Sequence, residues 1–439
     1  MKNNTLKNDT VRHLIRSTAF IMVFITIFLS LEALFFDESE KAAAWEYVVS
    51  DEAEPIDILL TGNSHTFRSF DDQLISQALD INARVLACPS ANGGIITADL
   101  TEFLTYTVPD IVVVELCPYM VNNYEDMRTN KQGIVYTHFE SIPNLFKRFR
   151  ALNATLDFED VPGGMFQILR PTTTMKKRWK LMQEKFSRPE EEVSGTDVSP
   201  NYYGYMGMAG VLDSPDLDFA ALEQKYAEYQ PEYIEGLFCD ENRKALEDML
   251  KLADRYDFEI WLCVSPVAYF EKRYMDQLPE IEKLVAGNER VKYIDVTIGR
   301  FAEFDFNTDD FHDLWHLSRS GAQKLTCYMI ELIAERLGLE PDYSDIALYK
   351  SESLEYLENG LVRCSMQAHG AALYRFSYID ENENEIKTEF SECNYFDVSE
   401  DILKSGLLLV EMKGIDDPGE ENISSYHFMT RPEWTAEGE

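Results

Sequence analysis

Residues 56–66 read Ile56-Asp-Ile-Leu-Leu-Thr61-Gly62-Asn63-Ser64-His65-Thr66. Positions 56–61 form a short apolar run bounded by Pro55 and Gly62, the pattern of a strand buried on both faces. The Gly-Asn-Ser that follows is turn chemistry. A serine at a strand-to-helix turn projects its hydroxyl over the sheet edge, where its backbone N–H can help bind an oxyanion. Glycine and serine also make ordinary turns, so this segment by itself nominates Ser64 without assigning it.

Working outward, similar runs recur at ARVLAC (83–88), IVVVEL (111–116), FEIWLCV (258–264) and VKYIDV (291–296). Helical patterns lie between several of them, at 97–107, 240–255 and 270–285. Apolar strands alternating with helices imply an α/β architecture with a parallel sheet covered on both faces, whose ligands bind beyond the carboxyl ends of the strands. Between the third and fourth runs, roughly 120–235, no strand pattern is found. This segment contains Tyr202, Tyr203, Tyr205, Tyr226 and Tyr229 and the basic stretch Met175-Lys-Lys-Arg-Trp-Lys180. An insertion of that length is expected to be either a cap over the pocket or a docking subdomain.

After a helix expected at 319–337 the pattern changes. LYRFSYI (373–379), the polar turn 380–384, EIKTEF (385–390), LLLVEM (407–412) and SYHFM (425–429) alternate in the manner of antiparallel strands. Residues 345–439 are thus expected to form a small β-sandwich module that packs on the main domain or binds a partner or glycan.

At the other end, the apolar run from Ala19 to Phe36 is about 18 residues, near the length that crosses a bilayer core. Lys2, Lys7, Arg12 and Arg16 precede it, and Asp37, Glu38 and Glu40 follow it. That asymmetry keeps the start in the cytoplasm and sends the remainder outside, as a single-pass signal anchor over 1–36. A cleaved signal peptide is the rival, but Ala42-Ala43-Ala44 lies beyond an acidic stretch, a poor cleavage region. Glu32 interrupts the run late, where a carboxylate can approach the interface.

The chain has 439 residues, enough for two or three domains, and 45% of them are hydrophobic, so a substantial core can be buried. With 78 acidic against 40 basic side chains the formal net charge is −38, which argues against nucleic-acid partners. The seven cysteines show no CxxC pair or zinc spacing. Cys88, Cys117 and Cys263 lie in or at the ends of apolar runs and are expected as buried free thiols, with a Cys364–Cys393 bridge as an alternative in the tail.

A serine nucleophile needs a base, and the base needs a carboxylate to set its tautomer. The stretch Phe311-His312-Asp313-Leu314-Trp315-His316-Leu317-Ser318-Arg319-Ser320-Gly321 supplies both. Asp309/His312 and Asp313/His316 share the D-x-x-H spacing, and the helix start at Ser318 favours the second pair. A zinc site at His312 and His316 lacks an adjacent glutamate and a third ligand, so neither metal nor cofactor is expected. His65 beside the serine is read as a ring packed on the turn, and Glu115 as structural or rim-lining.

Gly62-Asn63-Ser64-His65 after the first strand, with Asp313-Leu-Trp-His316 far downstream, resembles the SGNH (GDSL-like) hydrolase superfamily over roughly 56–118 and 236–338. The resemblance implies a flavodoxin-like three-layer α/β domain over 50–340, with Ser64, Asp313 and His316 as triad. It also implies an oxyanion hole from the Ser64 N–H, the Gly93 (or Gly94) N–H and an asparagine after the third strand. The family's Gly-x-Asn-Asp motif is replaced by Val114-Glu-Leu-Cys-Pro-Tyr119, so Asn122 or Asn123 is the candidate substitute. That departure, with the anchor, makes the chain look like the membrane-anchored subgroup that includes alginate O-acetyltransferase proteins and the D-alanyl-lipoteichoic acid biosynthesis protein. By that resemblance it is an extracytoplasmic esterase or O-acyltransferase acting on cell-envelope polysaccharide, taking an acylated glycan or acyl donor beside a membrane-bound O-acyltransferase. The competing expectation is a non-catalytic glycan-binding or assembly protein.

Overall fold

A computed structural model describes residues 2–35, 43–50, 53–117, 132–170, 179, 205, 218–298, 306–379, 385–405, 407–415, 417, 419 and 423–428. The chain forms two compact units, one of residues 1–49 with 128–200 and one of residues 50–127 with 201–439. In chain order the helices are α1 (Lys2–Phe35), α2 (Ala43–Val49), α3 (Ser64–Ser69), α4 (Asp72–Leu79), α5 (Gly93–Phe103), α6 (Gln132–His138), α7 (Leu145–Thr155) and α8 (Val161–Met165). They continue as α9 (Phe219–Glu228), α10 (Asp240–Tyr256), α11 (Lys272–Val285), α12 (Arg319–Leu337) and α13 (Glu400–Ser405).

In the first unit, α1 contains one stretch, Val11–Leu34, long and apolar enough to cross a membrane. A 3-10 turn at Gln167–Leu169 packs on its C-terminal half. Phe166 meets Phe28 edge to face with ring centroids 5.0 Å apart. The Glu32 carboxylate accepts the backbone N–H groups of Gln167 and Ile168, at 2.7 and 2.9 Å. Asn144 caps α7 by accepting from the N–H groups of Phe146 and Lys147, satisfying donors that have no partner inside the helix. The helix buries Ala151, Leu152 and Thr155. At Gly164 any Cβ would come within 2.5 Å of the Leu152 side chain, so glycine is what lets α8 lie against α7. Residues 132–170 of the insertion therefore fold with the N-terminal helices. Most of the basic stretch 175–180, together with Tyr202 and Tyr203, falls outside the described residues.

The second unit is built on β1 (Ile58–Gly62), β2 (Ala83–Ala87), β3 (Ile111–Glu115), β4 (Glu259–Val264) and β5 (Val291–Asp295). They make one five-stranded sheet in the order β2-β1-β3-β4-β5 with every pair parallel. This is the flavodoxin-like order. β1, β2 and β3 are buried at every position, matching their unbroken apolar runs, and each such Leu, Ile or Val contributes about 1.5–3 kcal/mol. α3 and α4 pack with α12, while α5 packs on α10, covering the two faces as right-handed crossovers require. The chain reverses direction across the sheet between β1 and β3, so a crevice opens beyond their carboxyl ends.

The tail holds β6 (Leu348–Tyr356), β7 (Leu361–His369), β8 (Ala372–Ile379), β9 (Glu385–Lys387), β10 (Tyr395–Ser399), β11 (Leu408–Gly414) and β12 (Ser424–Phe428). Two antiparallel sheets, ordered β10-β7-β6 and β12-β11-β8-β9, share one core containing Val362, Met366, Phe376, Val410, Met412 and Phe428. The turn at 380–384 lies outside the described residues. The alternative of a Cys364–Cys393 bridge is corrected: all seven cysteines are free, Cys364 inside this core and Cys393 exposed. Alternation places the Cys364 side chain inward beside Val362 and Met366, a position that gives the thiol the role of a small hydrophobe.

Candidate active site

Gly62 ends β1 where nothing larger fits. A Cβ there would lie 2.1 Å from Thr66 Oγ1 and 3.2 Å from Glu115 Cβ. Asn63 follows as the cap of α3, its Oδ1 accepting from the His65 N–H at 2.9 Å. Ser64 is thereby the first residue of the helix, and its N–H has no acceptor within that helix. Asn63 is 2% exposed and its Nδ2 donates to Cys117 Sγ, which ties the turn to the end of β3.

The second segment is a closed loop. Phe311 and Leu317 pair across its base, and the His312 N–H donates to the His316 carbonyl at 2.9 Å. Asp313 Oδ1 accepts the N–H groups of Trp315 and His316, each at 2.7 Å. The ring nitrogen His316 Nδ1 sits 3.0 Å from Asp313 Oδ2 and 3.1 Å from Oδ1. His316 Nε2 is 3.0 Å from Ser64 Oγ. The structure thus brings Ser64, His316 and Asp313 into one hydrogen-bonded line, and of the two D-x-x-H registers it is the second that faces the serine. Asp309 is exposed and lies outside that line.

The carboxylate of Asp313 orients the ring of His316. Burial works against the Asp313 carboxylate, but the His316 ring and the two backbone N–H groups outweigh it and hold its pKa at about 2. An ionised carboxylate only accepts, so His316 Nδ1 carries the proton and Nε2 presents its lone pair to the Ser64 hydroxyl. His65 packs against His316 with ring centroids 5.1 Å apart. Burial, reinforced by His316, pushes its pKa down to about 3, so it stays uncharged beside the relay. Trp315 meets Tyr269 at a tilt with ring centroids 4.2 Å apart, and the Ala268 N–H donates to the Leu314 carbonyl, so the segment after β4 braces the loop.

Two of the expected oxyanion donors fare differently. Gly93 stands at the first position of α5, but its N–H donates to Asn242 Oδ1 on α10 at 3.3 Å. A Cβ there would meet Ala245 and Asn242 at 2.9 Å. Its glycine is explained by helix packing, and Gly94 beside it is the other candidate for the same donor. Asn122, with Asn123, lies outside the described residues.

Glu115 is fully buried at the end of β3, which removes the rim-lining alternative. Ser265 and Cys117 approach its carboxyl, yet no donor reaches hydrogen-bond geometry with either oxygen. Burial pushes its pKa up to about 8, so it is uncharged at neutral pH. The cap role of Asn63 was missed, although Asn before a helix start is a capping signal that could have found it. The contact to Cys117 had no such signal, because it joins two strands distant in sequence.

No family model and no curated protein matches the chain. Among solved structures, a Streptococcus pneumonia protein provisionally described as a platelet activating factor is similar over 72% of this chain and 99% of its own, at 11% identity and a TM-score of 0.32. A glycoside hydrolase is similar over 87% of this chain and 97% of its own, at 10% identity and a TM-score of 0.17. Overlap at this level leaves the functional assignment to the geometry around Ser64.

Proposed function

We propose that the chain is a membrane-anchored serine acyl-transfer enzyme of the SGNH (GDSL-like) type, held outside the cytoplasm by α1 and acting on acyl esters of cell-envelope glycans. The observation that carries this reading is the relay Ser64 Oγ to His316 Nε2 at 3.0 Å and His316 Nδ1 to Asp313 Oδ2 at 3.0 Å. Its position at the carboxyl ends of a parallel sheet supports it. The charge asymmetry flanking the apolar helix supports the topology, and the anchor supports an envelope substrate.

In this mechanism His316 Nε2 takes the Ser64 proton while Oγ bonds to the ester carbonyl carbon. The carbonyl π electrons move to oxygen, and the oxyanion is held by the Ser64 N–H. Collapse of the tetrahedral species breaks the bond to the leaving alcohol, which takes the proton from imidazolium. Asp313 keeps the ring in one tautomer and stabilises its charged form. A water or a sugar hydroxyl then attacks the acyl-serine with His316 again as base, giving hydrolysis or O-acyl transfer.

The test uses the full chain in detergent with p-nitrophenyl acetate, wild type against Ser64→Ala. Release of p-nitrophenol by wild type alone, with an acetyl adduct on Ser64 by intact mass, is the expected result. A wild type that neither turns over nor becomes acylated sinks the proposal in favour of a non-catalytic glycan-binding role.

A further inference from the structure

The first unit has a surface that the catalytic reading leaves unexplained. Leu145, Phe146, Phe149, Phe158 and Leu169 are all exposed, Phe146 to 73% and Phe158 to 75%. On α7 the exposed Leu145, Phe146 and Phe149 stand with Lys147 and Arg150, while Ala151, Leu152 and Thr155 are buried. A helix apolar on its exposed side as well as its buried side is built to meet a second apolar phase. Aromatic and aliphatic side chains interleaved with basic ones are the composition of an interfacial helix facing anionic lipid.

The position of α1 identifies that phase. Phe166, at the head of the turn that ends in Leu169, packs on Phe28. Phe28 lies six residues before the end of the apolar stretch Val11–Leu34, which at 1.5 Å per residue is about 9 Å inside it. Whatever touches Phe28 therefore stands below the outer limit of the span. The same turn supplies two backbone N–H groups to Glu32, offsetting the cost of a carboxylate inside the apolar stretch. The turn and the helix α7 belong to one compact unit with α1.

We infer that residues 132–170 form a lipid-embedded collar around the outer end of α1, with Phe146, Phe149, Phe158 and Leu169 seated among the headgroups and upper acyl chains of an anionic leaflet. The inference rests on the reading of α1 as a membrane span. It gives this part of the insertion a membrane-docking role.

The experiment places a nitroxide on the full chain in phosphatidylcholine/phosphatidylglycerol vesicles, in a Cys393→Ser background because Cys393 is the exposed native thiol. Labels at Ser30→Cys, Phe146→Cys, Phe158→Cys and, as an aqueous reference on the other unit, Leu237→Cys are compared for collision with apolar oxygen and a water-soluble nickel chelate. The expected result is oxygen-dominated relaxation at 30, 146 and 158 and nickel-dominated relaxation at 237. Nickel-dominated relaxation at 146 and 158, with 30 oxygen-dominated, overturns the collar and leaves the anchor standing. Nickel-dominated relaxation at 30 overturns both. Labels at 146 and 158 that are immobile and shielded from both reagents place a protein on this surface and overturn the lipid assignment.

Discussion

Asp313 and Glu115 illustrate how two carboxyls of one unit acquire opposite character. Asp313 receives two backbone N–H groups and an imidazole N–H and stays ionised, while Glu115, fully buried with no donor in bonding geometry, keeps its proton. Asp313→Asn is expected to turn the amide toward His316 Nδ1, fix the tautomer that bears its proton on Nε2, and lower kcat on the order of 10³–10⁴-fold. Esterase kinetics with a thermal melt of both proteins would check that the fold survives. For Glu115 the sign follows from proton uptake. Its folded pKa of about 8 lies above the ordinary 4.5, so the folded chain binds more protons between these values. Stability is therefore lost to this group as pH rises from about 4.5 to 8, by up to about 1.4 kcal/mol per pH unit. Glu115→Gln should flatten that fall, giving a variant that gains on wild type from pH 5 to 8 in denaturant midpoints; parallel curves would contradict the assignment.

At the scale of elements, the site depends on how α12 begins. Ser318 accepts from the Gly321 N–H, and its hydroxyl donates to the Asp309 carbonyl at 2.7 Å. A Cβ on Gly321 would lie 2.1 Å from the Asp310 carbonyl oxygen, which is backbone and cannot swing away. Gly321→Ala should therefore push the helix start from the loop that carries His316, costing roughly 1–3 kcal/mol and reducing turnover at temperatures where the protein remains folded. Melting curves and kcat on one preparation would separate the two effects. Elements with plain periodicity were legible: the five apolar runs became β1–β5 within one or two residues, and α10, α11 and α12 began and ended near their expected bounds. β6, β7 and β10 were missed. β6, Leu-Tyr-Lys-Ser-Glu-Ser-Leu-Glu-Tyr, is an outer strand of its sheet with few buried positions, so its pattern carries little alternation. In β7 the inward Cys364 and Met366 do alternate with polar residues, but neither is a strong strand former.

Within the second unit, the β module is coupled to the loop that carries His316 through one buried cation. Arg319, three residues after His316, is 1% exposed, pairs with Glu352 on β6, and lies 5.0 Å from the ring centre of Tyr426 on β12. Gln323 Nε2 adds a bond to the Tyr349 carbonyl at 3.0 Å. Arg319→Leu leaves the Glu352 carboxylate, itself only 11% exposed, without its countercharge. The expected loss is about 3–5 kcal/mol, most of which the Arg319→Leu, Glu352→Leu pair should restore. Denaturant midpoints of wild type, single and double variants would decide it, and equal loss in single and double would refute the pairing argument.

The sequence alone determined the parallel α/β sheet, because strands buried on both faces must be written as unbroken apolar runs, and it nominated Ser64, Asp313 and His316, because turn and capping residues mark where each stands. It also determined the apolar helix at the start, since length and composition define such a segment. Tertiary structure decided which D-x-x-H pair faces the serine, that the Gly93 N–H is spent on Asn242, and that Glu115 is sealed at the end of β3. It likewise decided that residues 132–170 fold with the N-terminal helices. Each of these turns on contacts between segments far apart in the chain, and local residue patterns carry no record of which distant surface a side chain will meet.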